Sequence, residues 1–184
     1  MAFIHEGSCE CVKSELDLFS VPPTQTSIES ASFAEYHPIS SLSDGGPIEF
    51  EFSSSGDEYI DFNDSQLYLK VKIVKADGSN IAADAKVGFV NNALHSLISQ
   101  VDISFNGTQI TDSTNTNPYR AEIETRLSFG SGAKQSQLIN ALWYKDTAGK
   151  MDENDPAGEN MGLTKRAVFT VGSREIDLVG RLHT

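Results

Sequence analysis

The chain has 184 residues, 39% of them hydrophobic, enough to bury a substantial core as a single domain with extensions and without the staples that small scaffolds need. Its 14 Lys and Arg against 26 Asp and Glu give a formal charge of -12, so the average surface repels phosphate, which speaks against generic binding to nucleic acid or anionic membranes. Positive charge gathers only at Lys165-Arg166 and at Lys70, Lys72 and Lys75, the latter on the solvent side of an expected strand.

At the N-terminus, Glu6 and Glu10 precede any apolar run long enough for a signal peptide, and no stretch approaches the roughly 20 apolar residues of a membrane span. The expectation is a soluble, unsecreted protein of a reducing compartment, with no membrane insertion. Cys9 and Cys11 are too close in sequence to close a useful loop and lack the companions of a four-ligand zinc site, so they read as free thiols on an arm. The sequons at Asn63 and Asn106 read as chance matches, since no export signal is expected.

Residues 1–45 read as an extended arm. They are rich in Ser, Thr and Pro, and Leu16, Leu18, Phe19, Ile28, Phe33 and Tyr36 are apolar anchors without helical or strand period. Pro22-Pro23 and Pro38 keep the arm extended. Alternation starts after the breaker Asp44-Gly45-Gly46-Pro47, where Ile48, Phe50 and Phe52 alternate with Glu49 and Glu51. A second strand is predicted over 66–75, with Leu67, Leu69, Val71 and Ile73 on one face and Tyr68, Lys70 and Lys72 on the other. The acidic face of the first strand and the basic face of the second are able to pair across a sheet.

The period then becomes helical. Val90, Leu94, Leu97 and Val101 share one face, with Asn91 or Asn92 as cap. Val101, Ile103 and Phe105 lead into Asn106-Gly107 and then Thr108 and Ile110, the strongest short-range signal of a hairpin. Asn117-Pro118 opens a second helix, with Asn as its cap and Pro in the first turn, carrying Tyr119, Ile123 and Leu127, which Gly130 and Gly132 end. A third helical stretch is expected over 133–145 with Leu138, Leu142 and Trp143 on one side, then a polar loop over 146–162. Strands are expected again over 165–171, where Ala167, Phe169 and Val171 alternate, and over 175–182. Clean alternation without a βαβ rhythm favours antiparallel sheets, hence a mainly β sandwich over 46–184 with a helical and loop excursion over 112–162.

No constellation of chemistry emerges. Gly130-Ser131-Gly132-Ala133-Lys134 lacks the Lys-Ser/Thr ending of a phosphate loop and reads as a turn between helices. Asp152-Glu153-Asn154-Asp155 has Pro156 next and its glycine too late for a calcium loop, and Asp57, Glu58, Asp61 and Asp64 read as an acidic connection. His5, His37, His95 and His183 stand apart, and His95 is expected on the polar side of its helix. No serine occupies a nucleophile elbow. Trp143 and Tyr144 read as packing anchors, since they lack the interleaved cations of a base-stacking platform. No catalytic, cofactor-binding or metal-ligating residue is assigned and no cofactor is expected; an interaction role outranks an enzymatic one.

The order of segments adds a resemblance. "SELDLFSVPPTQTSIES", "PIEFEF", "EYIDFNDSQLYLKVKIVKADG", "VNNALHSLISQVDISFNG", "NPYRAEIETRLSFG", "SQLINALWYKDTAGKMD" and "DLVGRLH" occur in the chain in that order, across about 14 to 183. Together they resemble the N-terminal part of the hexon-like, double jelly-roll major capsid proteins of Polinton (Maverick) elements and adintovirus-like viruses. The resemblance implies a jelly-roll sandwich, of which this chain supplies about six of the eight strands of the first roll and none of the second. It also implies trimeric capsomers, contacts between capsomers and with other capsid proteins such as the penton, and a virion location. It implies no specific binding of nucleic acid and no catalysis. On this view the chain ends inside a sandwich, and the sheet edge this leaves open is expected to prevent a stable monomer. The other functional class is a host-retained, truncated, non-catalytic interaction protein derived from such an element.

Overall fold

The computed structural model describes residues 28–42, 45–53, 56, 58–62 and 64–182. The expectations placed on Cys9, Cys11, His5, His183, Asn63, Asp57 and the first 27 residues lie outside the described residues. The chain divides into two units, Met1–Glu58 and Tyr59–Thr184.

The described part of the first unit contains no helix or strand. Within it the Ile39 amide donates to the Glu49 carbonyl at 2.8 Å, the Glu49 amide donates to Ser40 Oγ at 2.8 Å, and the rings of Tyr36 and Phe52 lie 5.4 Å apart. The strand expected over 48–52 therefore does not form. Alternation specifies a face, but a ladder also needs a neighbour along the segment, and residues 39 and 40 supply only one point of attachment.

The second unit is small and mixed. In chain order it contains β1 (Gln66–Val71), α1 (Ala93–Ser96), β2 (Ser104–Phe105), β3 (Thr108–Gln109), α2 (Asn117–Ser128) and α3 (Ser131–Lys134). A 3-10 turn (Gln137–Ala141), α4 (Met161–Ala167), a second 3-10 turn (Val171–Ser173) and β4 (Ile176–Arg181) follow. Antiparallel pairing holds in both sheets, each of two strands: β1 with β4, and β2 with β3. The strand predicted near the end of the chain thus pairs with the first regular strand, Leu69 opposite Leu178 and Lys70 opposite Asp177. Between β2 and β3, Asn106 and Gly107 adopt φ of 49° and 78°, the left-handed pair that a tight hairpin turn demands.

The core consists of Phe89, Ala93, Leu94, Ala141, Leu142, Ile176 and Leu178, with Leu67, Leu69, Val71, Ile73, Tyr144 and Phe169 packed around it. The inward residues of β1 and β4 thus cover one face of the sheet with α1 and the first 3-10 turn. Gly180 permits this approach, because a Cβ there would stand 2.7 Å from Leu94 Cδ2.

Further expectations need correction. The helix expected from Val90 to Val101 is a single turn, and it buries Ala93, Leu94 and His95 while Val90 and Leu97 are exposed. Asn92, at φ 54°, interrupts the chain just before it, so Val90 never joins the helical face. Neither Asn caps α1 with its side chain; Asn91 Oδ1 instead accepts from the amides of Asn92 and Tyr144. The helical stretch over 133–145 splits into α3 and a 3-10 turn, and Leu142 at φ 58° ends it.

The strand expected over 165–171 is instead the end of α4 followed by turns. Asn160 caps this helix, its Oδ1 accepting from the amides of Gly162 at 3.1 Å and Leu163 at 3.4 Å. The helix also turns Leu163 and Arg166, three apart, into the interior together. A cap and a buried helical pair outweigh three alternating apolar positions.

Candidate interaction surfaces

The fragments weighed for chemistry are occupied structurally. Gly130–Lys134 forms the start and body of α3, and Lys134 Nζ donates to the Arg126 carbonyl at 3.0 Å and lies 5.5 Å from the centre of the Trp143 ring. Trp143 itself is buried, as a packing anchor should be. In the acidic loop, Asp155 Oδ2 receives Lys86 Nζ at 2.5 Å and Oδ1 the Ala157 amide at 2.9 Å. These bonds, the Lys86 one foremost, hold the Asp155 carboxyl below its ordinary value. Asp64 pairs with Arg181 at 2.6 Å. Among the described residues, no group of three or more His, Cys, Asp or Glu is placed to hold a metal ion. His95, expected toward solvent, is 5% exposed, because the short α1 turns Ala93, Leu94 and His95 into the interior together.

What the molecule does present is uncovered apolar surface. β1 is the first such element. Its inward residues Leu67, Leu69 and Val71 remain half-buried, whereas Ile176 and Leu178 on β4 are buried. Burial therefore fades across the sheet from β4 to β1, and among the described residues β4 is the only strand that β1 pairs with. No described strand pairs with the other long edge of β1, and such an edge is a template for a further strand. On the outer face, Tyr68 Oη donates to Asp177 Oδ1 at 2.7 Å, and Lys70 and Lys72 are exposed.

Helix α2 is the second. Its apolar series points outward: Tyr119 is 73%, Ile123 56% and Leu127 81% exposed. The buried series is Asn117, Ala121 and Thr125, spaced four apart. Asn117 does not cap α2 from outside, as the sequence suggested; it is the first helical residue, and its Nδ2 donates to the carbonyls of His95 at 3.3 Å and Ile98 at 3.0 Å, closing the end of α1. The small residues at 121 and 125 were the signal for a close-packed inner face, but the larger apolar series beside them masks it.

Between α1 and α2 lies a groove of about 340 Å³ lined by Asn91, Ser96, Pro118, Tyr119, Glu122 and Ile123. A more polar hollow of about 290 Å³ adjoins the start of α2, with Thr114, Thr116 and Arg120 among its walls. Among the described residues no helix is long and apolar enough to cross a membrane. Comparison with protein-family models, with curated proteins and with solved structures found no match to this chain.

Proposed function

We propose that the chain is a structural, non-catalytic subunit of a viral-type shell, the N-terminal jelly-roll part of a hexon-like capsid protein of the Polinton class, and that it works by associating with copies of itself. The observation that carries this reading is the two-stranded β1–β4 sheet, with one edge of β1 unpaired by any described strand and its apolar face only half covered. Two strands alone are marginal in water, and a third strand or a packed helix is what makes a sheet persist. Helix and 3-10 turn cover the β4 side; a neighbouring subunit would cover the β1 side.

The colinear resemblance described above implies trimeric capsomers as well, with the helices and loops of 112–162 at the trimer contact or on the outer tower. The exposed Tyr119, Ile123 and Leu127 of α2 fall within that excursion. A net charge of -12 suits a shell that encloses DNA without gripping it.

Native mass spectrometry and negative-stain microscopy of the purified chain test the proposal. Trimers or larger regular particles, formed without added nucleic acid, are the expected result. A species that stays monomeric in both measurements overturns it.

A further inference from the structure

The open edge of β1 has a counterpart in the first unit. Ile48, Phe50 and Phe52 are 50%, 40% and 39% exposed, and they alternate with the exposed Glu49 and Glu51. The main chain of Glu49 is engaged on one side, by the Ile39 amide and by Ser40 Oγ. In an extended strand successive residues turn their N–H and C=O groups to opposite edges, so as a strand Ile48 and Phe50 would direct theirs away from that attachment.

We infer that residues 48–52 of one copy add as a strand to the open edge of β1 in a second copy of the chain. The antiparallel register sets Glu51 opposite Lys70 and Glu49 opposite Lys72, which gives two cross-strand charge pairs on the outer face. It also sets Phe52 opposite Leu69, Phe50 opposite Val71 and Ile48 opposite Ile73, which extends the apolar face. A slip of one residue would turn both glutamates onto that apolar face, so the register is specified from both sides at once.

Charge selects the occupant. In a chain of net charge -12, copies repel on average, and Lys70, Lys72 and Lys75 make β1 and its continuation a local exception. An alternating strand with acidic residues on one face and aromatic and aliphatic residues on the other is the matching ligand, and every copy carries one. The partner is a second copy because the chain is proposed to work by self-association; among the described residues 48–52 is not a strand and β1 pairs with β4 alone. Each copy then offers one donor segment and one acceptor edge, a head-to-tail arrangement that closes into a ring or continues as a filament. The inference rests on the self-association proposed above and names the segment and edge that mediate it.

The test compares the mass of the wild-type protein with those of the charge-reversed variants E49K/E51K and K70E/K72E across a concentration series, with circular dichroism as a check on folding. All four side chains are exposed, so the spectra should match the wild type. Each variant alone should associate about tenfold more weakly or worse, since two attractions become repulsions. An equimolar mixture of the two should recover association, because the Lys-bearing segment of one meets the Glu-bearing edge of the other, and the unmodified segment and edge also match. Pairing within a chain gains nothing from mixing. If the wild type associates and the variants match it, or if the mixture fails to recover, this strand pairing is overturned while self-association stands. A wild type that is monomeric throughout overturns both.

Discussion

Arg166 brings a full charge into the interior of the second unit. Its Nε donates to the Phe89 carbonyl at 2.9 Å, Nη1 to the Tyr144 carbonyl at 3.3 Å and Nη2 to Asp146 Oδ1 at 3.0 Å. The two charged side chains are 5% and 12% exposed, so removing one leaves the other with poor access to water. Arg166→Ala should lower stability by about 3–5 kcal/mol, read from the urea midpoint, because it strands Asp146 and two carbonyls together. A shift within the range of an ordinary surface change would show that water already solvates the pair. Asp155 makes a smaller, pH-dependent contribution. Its folded value lies below the ordinary 3.8, so the stabilisation is present above that value and fades as pH falls through the lower folded one. Asp155→Asn should flatten this part of the acid limb of a stability-pH profile; an unchanged limb would mean that the Lys86 contact contributes nothing in solution.

Helix α4 and helix α2 show two ways in which an element departs from its pattern. For α4 the cap decides: Asn160→Ala removes the acceptor for two amides and should cost about 1 kcal/mol in thermal or urea unfolding, and a null effect would mean that the amides find water instead. For α2 the interior decides. Replacing Tyr119, Ile123 and Leu127 together by Gln, Lys and Gln should change stability by about 0.5 kcal/mol or less, since these side chains are mostly exposed. A large loss would place them in a core.

What could be read from the residues divides along the same line. The Asn106-Gly107 hairpin, α2, β1 and β4 were legible, because turn chemistry, a Pro near the helix start and strict alternation are local signals. The single-turn α1, α4 and the break at Leu142 were not. They depend on Asn92 and Leu142 in left-handed conformations and on Asn160 and Arg166 finding partners remote in sequence. The outward face of α2 stayed hidden for a related reason: an apolar stripe states that a surface will be covered, but not whether the cover comes from the same chain. No catalytic constellation was read from the sequence, and the interaction surfaces became visible only as a gradient of burial.

For the whole molecule, half-covered β1, the outward series of α2 and the exposed alternating segment 48–52 form one argument. Each is apolar surface that a single copy leaves in water, at roughly 25 cal/mol for every Å². Burying it between copies stabilises an assembly if the gain exceeds the entropy lost on association and the repulsion of a chain carrying -12. Salt screens that repulsion, so association should strengthen as ionic strength rises, up to the point where the Glu–Lys pairs are screened as well. Sedimentation velocity of the wild-type chain over a broad concentration range at near-physiological salt tests the central claim most directly. The account predicts a weight-average mass that climbs from the monomer to a trimer or larger closed species as concentration rises. A single sharp monomer boundary at every concentration, from a sample that unfolds cooperatively, would contradict it.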